Sequence, residues 1–222
     1  MTSPRQRVIA IDGPAGAGKS TIARAVAKAL GIQYLDTGAM YRAVTVEAAQ
    51  RGLPLADDSV VSAFVEDAVI DVGLEVVTIN GRDVTQEIRS VETSKLVSIV
   101  ATLSGVRAQL RRRQQAWVDQ RGGGVVEGRD IATVVFPEAL LKVYLTASPR
   151  VRAERRVAQI GGDVEVIARE LAARDEVDST RADSPLSAAS DSVVVDTSDR
   201  TIEDVVAEIV GLFEARLASW QK

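Results

Sequence analysis

The stretch that decides the fold is V-I-A-I-D-G-P-A-G-A-G-K-S-T, Val8 to Thr21. It begins as a short apolar run, which predicts a buried strand, and continues into a glycine-rich turn. The spacing from Gly13 through four residues to Gly18, Lys19 and Ser20 matches the P-loop pattern in full. Glycines permit the tight turn in which backbone N–H groups point at phosphate oxygens, and the N-terminus of the following helix adds positive partial charge. The stretch therefore predicts a nucleotide-phosphate site.

Each polar residue of this loop has a predicted role. Lys19 reaches the β- and γ-phosphates of a nucleotide, and the Ser20 hydroxyl can ligate Mg²⁺. The helix that follows is expected to bury Ile22, Val26 and Leu30. The predicted ATP-binding residues are Gly13, Pro14, Ala15, Gly16, Ala17, Gly18, Lys19, Ser20 and Thr21.

Bulk properties limit the chemistry. The 222 residues, 46% hydrophobic and 26% charged, suit one α/β domain with an insertion or two small domains. The chain has no cysteine and no histidine, so disulfides, thiolate metal sites and histidine-based catalysis are excluded. A net charge of −4 argues against broad nucleic-acid binding. The N-terminus lacks an apolar leader and no apolar stretch could span a bilayer, so we expect a cytoplasmic enzyme.

Short apolar runs between helical stretches indicate a parallel sheet covered by helices on both faces. The predicted strands are Val8–Ile11, Val125–Val126, Leu141–Leu145 and Val193–Val195. An alternating segment over Ile70–Val84 carries Asn80-Gly81, a two-residue hairpin signal, and predicts a small antiparallel sheet inserted at about residues 55–91. Residues 150–184 are rich in charge and are predicted to be helical.

The last predicted helix, residues 201–219, is amphipathic. Its expected packing residues are Ile202, Val205, Val206, Ile209 and Phe213.

Three classes of P-loop protein remain to be compared. A GTP-binding switch needs an Asn-Lys-x-Asp type loop, but the single asparagine, Asn80, lies in the hairpin. A remodelling ATPase needs an acidic strand end, for which Val193–Asp196 is a candidate; its late position favours Asp196 as the polar end of the last strand. Phosphoryl transfer to a second small molecule fits best, because it needs positive charge around the migrating group and little covalent chemistry.

The arginines supply that charge. Arg152, Arg155, Arg156 and Gln159 fall on one helical face, which is either a solvated basic face or a lid over ATP. Arg174, Asp178 and Arg181 could form an intrahelical salt-bridge ladder or bind a sugar phosphate. Further candidates are Thr37 and Arg42 after the next βα unit, the segment Glu127-Gly128-Arg129-Asp130 after a strand, and an Arg107/Arg111 helix face beside a core stripe of Leu110 and Trp117.

Taken together, these motifs resemble the bacterial cytidylate kinase family. The resemblance rests on I-D-G-P-A-G-A-G-K-S-T, L-D-T-G-A-M-Y-R, N-G-R-D-V with E-I-R, V-R-A-Q-L-R-R-R-Q and E-G-R-D-I-A-T-V-V-F-P, and covers nearly the whole chain. It implies an α/β P-loop nucleoside monophosphate kinase fold with a five-stranded parallel sheet, a helical lid and an inserted NMP-binding domain. The implied reaction, in pyrimidine nucleotide metabolism, is Mg²⁺-dependent transfer of phosphate from ATP to CMP or dCMP by a monomer without nucleic-acid or membrane partners.

The resemblance also implies roles for individual residues. Arg42, Arg129 and Arg181 would hold the CMP phosphate; Ser98, Arg107 and Asp130 would contact the cytosine; Arg174 and Asp178 would hold the pentose; and Arg155 and Arg156 would be lid arginines that, with Lys19 and Arg129, make the catalytic set. Thr37 stands where serine is common in the family, which keeps the hydroxyl. Ala132 stands where many members have glycine.

The implied domains are a P-loop core (1–36, 99–149 and 185–222), an NMP-binding region (37–98) and a lid with substrate-binding helices (150–184). Two alternatives remain open on the residues alone. One is a P-loop kinase for another acceptor, such as another nucleoside monophosphate or shikimate, and the other is a non-catalytic ATP-binding regulator of RNA.

Overall fold

The computed structural model describes residues 3–220, apart from the side chains of residues 4, 6 and 220. The strands are β1 Val8–Asp12, β2 Tyr34–Asp36, β3 Ile70–Val72, β4 Val77–Ile79, β5 Arg82–Asp83, β6 Gly124–Glu127, β7 Leu141–Thr146 and β8 Val193–Asp196. The helices are α1 Lys19–Leu30, α2 Thr37–Gln50, α3 Asp58–Asp67, α4 Val91–Val100, α5 Ser104–Arg121, α6 Pro149–Ile160, α7 Val164–Thr180 and α8 Ile202–Trp220. Short 3₁₀ turns lie at Pro4–Arg7 and Glu87–Arg89, and a π-helical turn lies at Ile131–Val135.

The main sheet has the five strands that the resemblance implied, and their order is β2-β6-β1-β7-β8. Strand β1 is central and pairs in parallel with β6 and β7, with Ile11 beside Glu127 and Asp12 beside Tyr144. Every residue of β1 is buried, which confirms the covered strand predicted from its unbroken apolarity. Each predicted strand is one or two residues shorter than the strand in the structure. Strand β2 was not predicted, because two apolar residues before an aspartate make too short a pattern.

The chain divides into two compact units, Met1–Tyr34 with Val118–Lys222 and Leu35–Trp117. The division into core, NMP-binding region and lid remains a prediction, and residues 1–2 and 221–222 of its core segments lie outside the described residues.

The first unit is built around the central strands. Its main hydrophobic core packs β1 and β7 against α1 and α8, with Ile9, Leu145 and Ile209 fully buried. The expectation for α8 was wrong at Ile202, which is 47% exposed because it begins the helix, while Val205 and Phe213 are buried as predicted.

The charged segment after β7, which was predicted to be helical, forms the two helices α6 and α7. Helix α6 ends at Gly161, and this glycine and Gly162 have φ values of 74° and 105°, in the left-handed region that favours glycine. Helix α7 begins after Asp163, whose carboxylate caps it by accepting from the Val166 N–H.

The second unit contains the predicted antiparallel sheet, with strand order β3-β4-β5. Asn80 and Gly81 have φ values of 51° and 78° and join β4 to β5 in the two-residue turn that the sequence predicted. The Asn80 side chain also accepts a hydrogen bond from the Val69 N–H. Helix α3 lies within the same inserted segment.

Helix α5 partly contradicts its sequence-based prediction. Leu110 is fully buried, but Trp117 is only half-buried, and Gln114 takes the buried position one turn after Leu110. Arg107 and Arg111 do not share an environment either, because Arg107 is buried and Arg111 is exposed.

Candidate active site

The phosphate loop lies between β1 and α1, as its spacing required. Gly13 has a φ of 149°, and a Cβ there would lie 2.0 Å from the carbonyl oxygen of Leu145, so the loop passes against β7 where no side chain fits. Gly18, with a φ of 90°, occupies the N-cap of α1. The loop therefore directs the start of α1, and the positive end of its dipole, at the space above the sheet.

Lys19 is buried at the first residue of α1. Its Nζ donates hydrogen bonds of 2.8 Å to the carbonyl oxygens of Gly13 and Pro14, so the lysine spans its own loop. Burial, with repulsion from Arg129 and Arg174, lowers the pKa of Lys19 to about 7 despite attraction from nearby carboxylates. A lysine whose charge is disfavoured by neighbouring cations indicates a place prepared for an anion.

The neighbouring cations are held by one buried carboxylate. Asp178 Oδ2 accepts from Nε of Arg129 at 2.9 Å, and its other oxygen lies 3.6 Å from Nη1 of Arg181. Burial acts to raise the pKa of Asp178, but Arg129, Arg174 and Arg181 outweigh it and hold that pKa below its usual value. Arg181 follows the end of α7 rather than lying within it, so the trio is not a simple intrahelical ladder.

Asp130 completes this group of charges. It is buried at the start of the π-helical turn, with one oxygen 3.8 Å from Nη2 of Arg181. The first unit thus brings together the predicted residues Lys19, Arg129, Asp130, Arg174, Asp178 and Arg181.

The two arginines that the resemblance assigns to a lid, Arg155 and Arg156, have different partners. Nη1 of Arg155 donates to Oγ1 of Thr197 at 2.9 Å and lies 3.5 Å from the carbonyl oxygen of Ala17, which ties it to the phosphate loop. Arg156 donates to Gln159 at 3.3 Å on the half-exposed side of α6. Arg152 is buried, so the alternative of a solvated basic face is wrong at this residue.

The second unit holds Thr37, Arg42, Ser98 and Arg107. Asp36 caps α2 by accepting from the Ala39 N–H at 2.9 Å, and its other oxygen accepts from Arg42 at 2.8 Å. Thr37 is buried at the first residue of α2, and Ser98 is half-buried on α4. Arg107 lies over the Tyr41 ring at 5.9 Å and donates to the carbonyl oxygen of Ala101 at 3.1 Å.

Sequence reasoning missed several polar residues of the first unit. Asp12, at the end of β1, accepts from the N–H groups of Ile131 at 2.9 Å and Ala132 at 2.7 Å. Glu127 is buried and accepts a short hydrogen bond from the Tyr34 hydroxyl. Asp12 could have been found from its position, because it is a carboxylate directly before Gly13, the first glycine of the loop. Glu127 was noted at the end of a strand, but no role was predicted for it.

A parallel sheet with a phosphate loop after its central strand is the architecture of P-loop kinases. Among solved structures, the chain is similar in fold to a gluconokinase from Sinorhizobium meliloti 1021, with a TM-score of 0.52, 16% identity and coverage of 98% of this chain and 96% of that one.

The sequence comparisons are more specific. The family model described as cytidylate kinase matches residues 9–215, and the chain belongs to that family. It is 47% identical to a cytidylate kinase of Pelotomaculum thermopropionicum over 93% of this chain and 96% of the relative. It is 46% identical to a bifunctional pantoate ligase/cytidylate kinase of Trichormus variabilis over 97% of this chain. The chain spans 43% of the length of that bifunctional relative.

Among residues 3–220, no helix combines the length and apolarity needed to cross a membrane.

Proposed function

We propose that this chain transfers the γ-phosphate of ATP to CMP and dCMP, giving ADP and CDP or dCDP. The observation that carries the proposal is the buried charge cluster in which Lys19 lies near Arg129 and Arg174, with Asp178 between arginines. Phosphoryl transfer requires such preorganised positive charge and needs no histidine base. The family relationship supports CMP as the acceptor.

The donor is assigned to the phosphate loop. Loop N–H groups and the start of α1 would hold the β-phosphate, and Lys19 would leave its two carbonyl partners for phosphate oxygens. Arg155, within reach of the Ala17 carbonyl, and Arg156 on the same helix would stabilise charge on the migrating group.

Transfer of phosphate from ATP requires Mg²⁺, and the residues at the start of α1 fit a bound Mg²⁺ ion. Ser20 is exposed beside Lys19 at the start of α1, and Mg²⁺ usually takes one or two protein oxygens with phosphates and water. Among the described residues, no group of three or more acidic side chains forms a metal site of its own. When bound, the ion would neutralise charge on the β- and γ-phosphates.

The acceptor roles are those implied by the resemblance to the cytidylate kinase family. Arg42, Arg129 and Arg181 would bind the CMP phosphate, while Arg174 and Asp178 would hold the pentose. Thr37, Ser98, Arg107 and Asp130 are the proposed contacts to the rest of the nucleotide. We further propose a monomer that acts in the cytoplasm on these small molecules, without a nucleic-acid or membrane partner.

The expected preference for cytosine over uracil follows from the hydrogen-bonding groups of the two bases. Cytosine offers a 4-amino donor and an N3 acceptor, whereas uracil offers a 4-oxo acceptor and an N3–H donor. The Asp130 carboxylate can accept from the amino group but would face the uracil oxygen as acceptor against acceptor. One such mispaired group is worth about 1–3 kcal/mol, or about 5- to 150-fold, and we expect a preference for CMP over UMP of at least about tenfold in kcat/KM.

The test is ADP release at saturating MgATP across a panel of CMP, dCMP, UMP, AMP and shikimate. Asp130→Ala should reduce the CMP to UMP ratio by harming CMP more, whereas Arg42→Ala should harm both alike. Glu138→Ala removes an exposed carboxylate of the same unit and serves as the control. Equal losses for both nucleotides in the Asp130 variant would show that this carboxylate does not contact the base. Preference for another acceptor would overturn the assignment of CMP.

A further inference from the structure

The tip of the phosphate loop is held by side chains from α6 and α7. The Ala15 N–H donates to Oδ1 of Asp175 at 3.0 Å, and the Ala15 carbonyl accepts from Nη1 of Arg152 at 3.0 Å. The same Nη1 also donates to Oδ2 of Asp175, which closes a ring of three hydrogen bonds. We call Arg152 and Asp175 the loop clamp.

The clamp lies in a largely dry environment. The Arg152 and Asp175 side chains are 10% and 17% exposed, and Ala15 packs in an apolar cluster with Ala153, Ile167 and Leu171. A charge-assisted hydrogen bond is strong in such surroundings, and removing one partner leaves the other charge buried. The shape of the loop at Ala15 therefore depends on two helices more than 130 residues away in sequence.

The backbone geometry at Gly16 gives an independent indication of the same contact. A Cβ on Gly16 would lie 3.1 Å from both Cβ and the carbonyl oxygen of Arg152, so the loop backbone follows α6 closely. The loop and helix α6 therefore pack closely against each other.

Helix α7 also carries residues assigned to the acceptor. Asp178 lies three residues after Asp175 and binds Arg129, and Arg174 directly precedes Asp175. A single helix therefore contacts the phosphate loop through Asp175. Through Asp178 it contacts Arg129, which is the arginine proposed to bind the phosphate of the acceptor. Ordering of α7 by one ligand would favour the position that the other ligand needs.

We infer that Arg152 and Asp175 are positioning residues for ATP, which hold the phosphate loop at Ala15 in its binding shape, and that α7 makes acceptor and donor binding mutually favourable. The second part rests on the proposed function, because it assumes that the acceptor binds Arg174 and Asp178. The first part does not, since it concerns the donor loop alone.

The test is calorimetric binding of a non-hydrolysable ATP analogue with Mg²⁺, with and without CMP. Asp175→Asn keeps the shape and one acceptor oxygen but removes the charge that faces Arg152. We expect it to weaken analogue binding without CMP by about tenfold and to raise the KM for ATP more than the KM for CMP. In the wild-type protein, CMP should tighten analogue binding by about fivefold or more, and this tightening should shrink in the variant.

Glu176→Gln is the matched control, because it removes the same charge from the next, exposed residue of α7 and should leave analogue binding unchanged. Arg152→Lys keeps the positive charge but cannot place one planar group between Ala15 and Asp175. We therefore expect it to weaken analogue binding as well, but by less than Asp175→Asn does. If thermal melting shows that Asp175→Asn is unfolded, Arg152→Lys takes its place as the clamp variant in the binding experiment. Wild-type affinity for the analogue in a folded clamp variant would overturn the positioning role.

The two proposals fail separately. A clamp variant with weakened analogue binding, in a protein that does not phosphorylate CMP, would keep the clamp and overturn the proposed acceptor. If CMP is phosphorylated but leaves analogue affinity unchanged in the wild-type protein, the coupling through α7 is wrong.

Discussion

Asp12 should make the protein less stable as pH rises towards neutrality. This carboxyl is fully buried at the end of β1, and burial raises its pKa from the ordinary 3.8 to about 7. The N–H groups of Ala132 and Ile131 oppose the shift, Asp130 adds to it, and Lys19 opposes it. The folded protein therefore holds a proton on Asp12 between pH 4 and 7 that the unfolded chain has already lost.

The size of the effect follows from that interval. One pKa unit corresponds to about 1.4 kcal/mol, so the Asp12 contribution to unfolding free energy falls by about 2 kcal/mol from pH 5 to pH 7 and is flat above about pH 8. Asp12→Asn cannot titrate. Its amide oxygen can accept from only one of the two N–H groups, which costs about 1–3 kcal/mol at every pH. The variant should therefore be less stable than wild type at pH 5 and recover most or all of the difference by pH 8.

The measurement is urea unfolding of both proteins at pH 5, 6, 7 and 8 at fixed ionic strength. Asp199→Asn, which changes an exposed carboxylate of the same unit, controls for net charge and should keep a constant difference from wild type. A pH-independent difference between Asp12→Asn and wild type would refute the reasoning. It would mean that the two N–H donors and Lys19 keep Asp12 ionised in the folded protein.

Three further predictions concern the phosphate loop and helix α6. Lys19→Ala should cut turnover about 100-fold or more in a folded protein, because one preorganised charge is lost; near-normal turnover would remove the loop lysine from the mechanism. Gly13→Ala should be strongly destabilising in thermal melting, since its Cβ would lie 2.0 Å from the carbonyl oxygen of Leu145. Gly122→Ala, at a φ of 77° with open space around it, should cost only about 1–2 kcal/mol, and equal losses would contradict the steric argument. Arg155→Ala should lower kcat more than it weakens CMP binding, and a change confined to the KM for CMP would move this arginine to the acceptor site.

Local signals predicted the parts of the fold that are locally determined. The phosphate loop and the Asn80-Gly81 turn were predicted because both need positive φ at fixed positions, and glycine and asparagine supply it. Strand β1 was predicted because burial on both faces demands an unbroken apolar run. The alternating segment Ile70–Val84 predicted the inserted sheet, and the family resemblance supplied the fifth strand of the main sheet.

Polar contacts across long sequence separations could not be predicted. Ala15 and Asp175 are 160 residues apart, and Asp12 and Ala132 are 120 apart. Helical spacing grouped Arg152 with Arg155, but spacing does not state which side of α6 faces the phosphate loop. Only tertiary packing decides that Arg152 is buried in the clamp.

The position of β1 in the sheet has a consequence for synthesis on the ribosome. Strand β1 is synthesised before its neighbours β6 and β7, which follow roughly 120 residues later, at a translation rate of about 5–20 residues per second. The apolar segment Val8–Ile11 is therefore without its sheet partners for several seconds, while the contiguous segment 35–117 can already form its own contacts. A nascent chain stalled before residue 124 would expose this segment, and chaperone binding should be strongest at that stage of elongation.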